Sequence, residues 1–352
     1  MGDHDALFKR VFSVPAHAAA ELRSVLPPEL VAVLDFSRLE LVSPSFVSIG
    51  LDERHGDLLF RAPLLLHPAD GDEDRHVYIH LHLEIYTMVE HRSGPDPRMP
   101  LRVMRYTREF WERLLRSEPD RRTLPPVISL VVHHGPGGWT APRSVHDMVE
   151  GLDQHPVLRA YVPNLVMLVD DLALVNPPAL RARPLPPVPN VATWLLRDGR
   201  HVDALLTNID AWKEDLGRVV VESPDDGFVF MSYISRTATE RNYREVLRII
   251  IDCIPAAEAP LATIEEQIKQ EGRLQGRQEG RQEGRQEGRR EGIEAGRVVA
   301  LRDVLRMQLE QRFGPVGADH EARIAAASLD ELQRAVARVA VASDLASVFQ
   351  PH

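Results

Sequence analysis

The chain has a single cysteine, Cys253, in 352 residues. That excludes a disulfide framework and any cysteine-based zinc module, and it fits a reducing compartment. Long apolar runs are also missing. No stretch approaches the roughly 18 consecutive apolar residues that a membrane-crossing helix needs. The first ten residues, MGDHDALFKR, carry acids and contain no apolar segment of signal-peptide length. Ala6 departs from the myristoylation pattern. A cytoplasmic protein without membrane attachment is the expectation. Excess positive charge is absent too: 42 Lys and Arg face 52 Asp and Glu, a formal net charge of −10. Such a balance argues against a protein that coats nucleic acid over its whole surface, while leaving room for a local basic patch. There is no Walker-type glycine-rich loop, no G-x-S-x-G elbow and no dinucleotide fingerprint.

What is present divides the chain. Its length allows two to three domains, and 44% hydrophobic residues suffice for a sizeable core. Helical spacing covers residues 4–12, with Leu7, Phe8, Val11 and Phe12 on one side, and recurs over 18–25 before Pro27 and Pro28. Short strand-like runs follow at 39–42 and 45–49. An apolar run over 57–66, a polar turn over 68–74 and a strictly alternating run over 77–85 predict a hairpin with a long tip. Residues 99–115 predict an amphipathic helix with Leu101, Met104, Phe110 and Leu114 on its apolar side. The run 126–133 reads as a strand buried on both faces, and 162–168 as another. Further helices extend to about Ile254.

Beyond Glu265 the composition changes. Seven glycines, at 272, 276, 280, 284, 288, 292 and 296, mark a tetrapeptide repeat of the form RQEG. Residues 265–297 contain eight Lys or Arg and eight Glu, so the segment is neutral and poorly suited to tether DNA. As a helix it would set like charges at i, i+4. Each glycine would cost about 1 kcal/mol relative to alanine, roughly 7 kcal/mol in all. A flexible spacer is the first expectation; a helix that self-associates through 265–352 is the second. Two amphipathic helices, 298–313 and 328–342, then form a small C-terminal region, with Ser328 and Glu331 as a capping box. The expected domains are therefore 1–264, 265–297 and 298–352.

The chemistry concentrates on the hairpin. Carboxylates on neighbouring strands converge within a few ångströms, and their hard oxygens suit Mg²⁺, with Ca²⁺ or Mn²⁺ as related choices. Such an ion activates water and offsets charge that builds on a phosphate. Several strings carry a likeness to a known family: His4-Asp5-Ala-Leu-Phe-Lys, Ser45-Phe-Val, His55-Gly-Asp57-Leu-Leu-Phe, Glu90-His-Arg-Ser-Gly-Pro-Asp96, Met99-Pro-Leu-Arg and Leu124-Pro-Pro-Val-Ile. Together with Tyr161-Val-Pro-Asn164 and Asp170-Asp-Leu, they resemble the Rpn-type recombination-promoting nucleases. These are also classed as transposases, within the PD-(D/E)XK superfamily. The resemblance runs over about residues 4–215. It implies an α/β, restriction-endonuclease-like core, a mixed sheet flanked by helices over about 4–175, followed by a helical C-terminal tail. It also implies metal-dependent DNA endonuclease activity, with DNA as partner and Asp57 as a metal ligand.

The family glutamate lies in a Glu-His-Gln-Ser string, matched here by Glu90-His91-Arg92-Ser93, with Arg92 in place of the glutamine. Arginine steadies a phosphate but cannot act as a base at ordinary pH. Hairpin geometry offers a rival. A tip centred near Asp70 or Gly71 sets Glu84 opposite Asp57, and Glu84 and Glu90 on one uninterrupted strand would stand about 20 Å apart. One metal cannot take both, so both stay open as the partner of Asp57.

Other signals are weaker. His80, His82 and Glu84 alternate on one strand face, as zinc or manganese ligands do, although a half-exposed polar strand face has the same pattern. His133 and His134 read as a turn with solvated imidazoles. Arg98, Arg102 and Arg105, at i, i+4 and i+7, share a helix face and are candidates for DNA phosphate contacts, with Arg108 extending the row.

Overall fold

The computed structural model describes residues 3–42, 56–65, 76–84, 95–135, 137–199 and 202–349, with backbone alone at 56–57, 80–84 and 202–203. It divides into two compact units, Met1–Ile268 and Lys269–His352.

The first unit is built on a five-stranded mixed sheet in the order β1 (Glu40–Leu41), β2 (Gly56–Pro63), β3 (His76–Glu84), β4 (Val127–His133), β5 (Leu168–Asp171). β1, β2 and β3 pair antiparallel, whereas β3, β4 and β5 run parallel. Alternation sorts the strand side chains between two faces. Leu58, Phe60, Ala62, Val77, Ile79, Leu130 and Val132 join the main core with the helices on one face. These are α1 (Asp3–Phe12), α2 (Pro15–Val25), the short α3 (Pro28–Val31) and, after β5, α5 (Pro177–Arg181), α6 (Pro187–Asp198), α7 (Val202–Thr207), α8 (Lys213–Glu222), α9 (Pro224–Thr237) and α10 (Glu240–Cys253). The other face carries α4 (Met99–Ser117) and the loop from Trp139 to Met167. Leu59 and Tyr78 meet Phe110 and Leu114, while Val131 meets Met99 and Val103. α4 therefore runs counter to β3 and β4, and its first turn stands beside their C-terminal ends.

Two expectations are corrected in this unit. α4 buries Met99, Val103, Tyr106, Phe110 and Leu114, whereas Leu101 is exposed and Met104 only partly buried. Leu101 stands about 200° around the helix from Val103, outside the stripe 99–103–106–110–114 that meets the sheet. The strand expected at 162–168 begins only at Leu168, because residues 161–167 fold back over the α4 face, tied by the isolated Ser144–Val166 bridge.

The second unit contains most of α11 (Glu258–Phe313), a continuous helix of 56 residues that includes the whole glycine repeat. From 269 to 297 every residue is exposed, and a Cβ added at any of the seven repeat glycines would meet nothing within 4 Å. The end of α11 packs with α12 (Ala318–Ala326), α13 (Leu329–Val339) and α14 (Leu345–Val348) around Leu305, Leu309, Ile324, Leu332, Val339 and Val348. Gly314, at φ +85°, terminates α11 in a left-handed conformation. Ser328 and Glu331 form the expected capping box. Among the described residues no helix is long and apolar enough to cross a membrane.

Candidate functional site

The hairpin expected to carry the acids is present, and its register differs from the sequence reading. Asp57 lies opposite His82, and Pro63 opposite His76. Glu84 is therefore two residues past the position facing Asp57. A two-residue slip leaves every side chain on its own face, so the apolar alternation is satisfied equally well by both registers. Positions 57, 82 and 84 have the same parity in the pleat, and diagonal neighbours of this kind lie about 7–8 Å apart. Glu84 is in turn the partner of His133 on β4, and His133 of Asp171 on β5. Strand pairing thus aligns one row of candidate ligands, 84–133–171, across three adjacent strand ends. Glu90 and Arg92 lie outside the described residues.

The first turn of α4 stands next to that row. Its N-terminus carries the positive end of a 19-residue helix dipole. Arg98 immediately precedes the helix, and its backbone N–H donates to Asp96 Oδ1 at 2.8 Å. Arg102 is half-buried, with its guanidinium 3.4 Å from the Asp96 carboxylate. Arg105 is exposed, 3.8 Å from Glu109, with its guanidinium 5.1 Å from the Tyr106 ring centroid. Arg108 is held in the same way by Glu112 at 3.7 Å. The arginine row exists, and among the described residues Arg102, Arg105 and Arg108 each pair with a carboxylate.

His133 and His134 are both buried, which overturns the solvated turn expected for them. His133 meets Trp139 edge to face at 5.4 Å. The His134 ring lies tilted against His4, centroids 4.8 Å apart, and His4 shares a 2.7 Å hydrogen bond with the Tyr233 hydroxyl. That hydroxyl also contacts the Leu195 carbonyl at 3.1 Å. The N-terminus of α1, the end of β4 and α9 are joined here by rings. Asp171 Oδ2 accepts the Trp139 backbone N–H at 2.5 Å, and its Oδ1 is buried with no hydrogen-bond partner among the described residues.

On the opposite face, Arg183 forms a fork to Asp170 at 2.6 and 2.9 Å and reaches Glu21 at 2.9 Å. Burial, with the Asp170 charge adding to it and Arg183 opposing, pushes the Glu21 carboxyl up to about 8. One arginine cannot neutralise two buried carboxylates, so Glu21 keeps its proton near neutrality. Sequence reasoning missed this cluster, because its members come from α2, β5 and the turn after α5. Among the described residues no group of three or more His, Cys, Asp or Glu is placed to hold a metal ion.

Comparisons with known proteins identify relatives of this chain. The recombination-promoting nuclease RpnD of Escherichia coli O157:H7 is 33% identical over 132 residues, covering 38% of this chain and 45% of that protein. RpnC of Escherichia coli K12, also named a recombination-promoting nuclease, is 31% identical over 133 residues, 38% of this chain and 39% of its own length. The matched part thus spans less than half of either relative. RpnE of the same strain, named an inactive recombination-promoting nuclease-like protein, is 25% identical over 270 residues, 76% of this chain and 82% of that protein. No solved structure matches the chain. Residues 2–185, the sheet with its first helices and α4, match the family described as "Putative transposase, YhgA-like", and the chain belongs to that family of Rpn-type proteins.

Proposed function

We propose that the chain is a metal-dependent DNA endonuclease with a PD-(D/E)XK core, hydrolysing phosphodiester bonds at the sheet end beside α4. The observation that carries this reading is the β2–β3 register, with Asp57 and Glu84 as same-parity diagonal neighbours where α4 begins. Asp57 with Glu84 would hold Mg²⁺ there, and Glu90 remains the other candidate partner. When bound, the ion supplies a polarised water and offsets phosphate charge. The remaining roles belong to the chain itself. The α4 N-terminus and Arg98 orient the phosphate, Arg102 and Arg105 hold the flanking backbone, and Arg92 stabilises developing negative charge without taking a proton. The names of RpnD and RpnC support this activity.

A second reading has its own support: the relative matched over most of this chain, RpnE, is named inactive. In that case the fold binds DNA or a protein without cleaving. Plasmid cleavage with Mg²⁺, compared with Asp57→Ala, separates the two. Cleavage that disappears in Asp57→Ala supports the nuclease; equal, negligible cleavage by both supports the binding module. Glu84→Ala and Glu90→Ala, assayed separately, then identify the partner of Asp57.

A further inference from the structure

Three exposed apolar side chains lie close together in sequence in the first unit. Tyr161 is 81% exposed and Val157 71%, with Leu158 also exposed. Val157, Leu158 and Tyr161 sit on a single turn, Pro156–Ala160 and its end residue, so they project from one small knob. An apolar knob of this kind normally costs solubility and marks a contact.

The knob is held in place by polar contacts from both sides. His146 Nε2 lies 2.9 Å from the Val162 carbonyl oxygen, and Asn164 Oδ1 accepts the His146 backbone N–H at 3.0 Å. The Leu165 carbonyl accepts from Val145, and Arg159 pairs with Asp153 at 2.8 Å. The Asp147 carboxyl, drawn well below its usual range first by the Ser144 side chain, closes the turn before it by accepting the Arg143 and Ser144 backbone N–H groups. The loop base belongs to the candidate site. Trp139, Leu165 and Met167 pack on Met99 and Val103 of α4. Tyr161 is four residues from Leu165, and four residues reach at most about 14 Å.

We infer that Tyr161, flanked by Val157 and Leu158, is a stacking platform for an unpaired nucleobase, so that the site takes a single strand or frayed end in preference to intact duplex. The inference rests on the nuclease reading for its location and goes beyond it in naming the substrate form. One exposed ring with aliphatic neighbours matches the face of one base, whereas a stable protein partner needs near 800 Å² on each side. In duplex DNA the base faces are already stacked and unavailable to such a ring. The phosphates of the same strand then fall to Arg98, Arg102 and Arg105 on the adjoining helix.

Fluorescence anisotropy on the full chain in Ca²⁺, with a labelled oligothymidylate and a labelled duplex of equal length, tests this. Tyr161→Ala is expected to weaken single-strand binding roughly five- to hundredfold while leaving duplex binding unchanged. Tyr161→Trp should restore it. Equal single-strand affinity in wild type and Tyr161→Ala would overturn the platform. So would a change in sedimenting size with DNA affinity unchanged, since that assigns the knob to a protein contact. The nuclease reading fails separately. If wild type does not cleave but Tyr161 still governs single-strand binding, the platform stands and the endonuclease does not.

Discussion

The two units use the same secondary structure and stabilise it by different means. In Met1–Ile268 nearly every regular element surrenders a face to a neighbour: Phe60, Ile79 and Leu130 on the sheet, and Trp194, Phe230 and Tyr233 on the helices, are essentially inaccessible. In Lys269–His352 the repeat portion of α11 is a helix with no packed face, and within this unit the helix enters a core only beyond the repeat. Burial fixes conformation in the body, whereas in the repeat the backbone hydrogen bonds act almost alone. An isolated helix of that kind is marginal in water, and its glycines make it more so. Substitutions should therefore differ in size, and in one case in sign, between the two regions.

The largest effect is expected from the sheet core. Phe60 is fully buried between the sheet and the helices, and Phe60→Ala should cost about 3–5 kcal/mol of body stability. Chemical denaturation followed by near-ultraviolet dichroism reads that loss. Leu309→Ala should instead destabilise the C-terminal cluster, by about 2–5 kcal/mol, and leave the body transition in place. Simultaneous loss of both transitions would show that the two units unfold as one.

Next comes the proton on Glu21. With its native value raised to about 8 and its ordinary value at 4.5, native and unfolded chains are both protonated below about pH 4.5. Between these values the unfolded state releases a proton that the native state retains, so stability falls as pH rises, by up to about 1.4 kcal/mol per unit. The fall levels off above about pH 8. Glu21→Gln keeps the shape and removes the titration. Its melting temperature should match wild type near pH 4.5 and exceed it at pH 8. A constant difference across that range would mean that Glu21 is ionised in the native state.

Much of this architecture was readable from sequence, and the failures share a cause. The hairpin, β4, the position of α4 and the capping box at Ser328 each depend on local periodicity or local chemistry, which a single chain displays. The Asp57 register did not follow, because slips of two preserve parity. The α4 face was only half right, because Phe110 and Leu114 lie on the buried stripe while Leu101 and Met104 lie on another side of the helix. His133 and His134 looked like a polar turn because nothing near them in sequence reveals His4, Trp139 or Tyr233. The Glu21, Asp170 and Arg183 cluster joins residues far apart along the chain. For the repeat, helix propensity argued for a spacer, yet the segment lies within one continuous helix.

The smallest effects test the comparison most directly, because one substitution is expected to act with opposite signs. A Cβ on Gly227 of α9 would lie 2.9 Å from the Val220 Cα, a backbone atom that cannot turn aside. Gly227→Ala should therefore destabilise the body by about 1–3 kcal/mol through overpacking. At Gly280 and Gly284 the same methyl enters open space, and alanine removes the entropic penalty of glycine in a helix. Each change there should favour the helix by about 1 kcal/mol and raise far-ultraviolet helicity at elevated temperature. A loss of helicity in Gly280→Ala would mean that a second surface approaches the repeat closely in solution. In that event the glycines are spacing residues for a partner helix, and the contrast between a packed body and an unpacked repeat no longer holds.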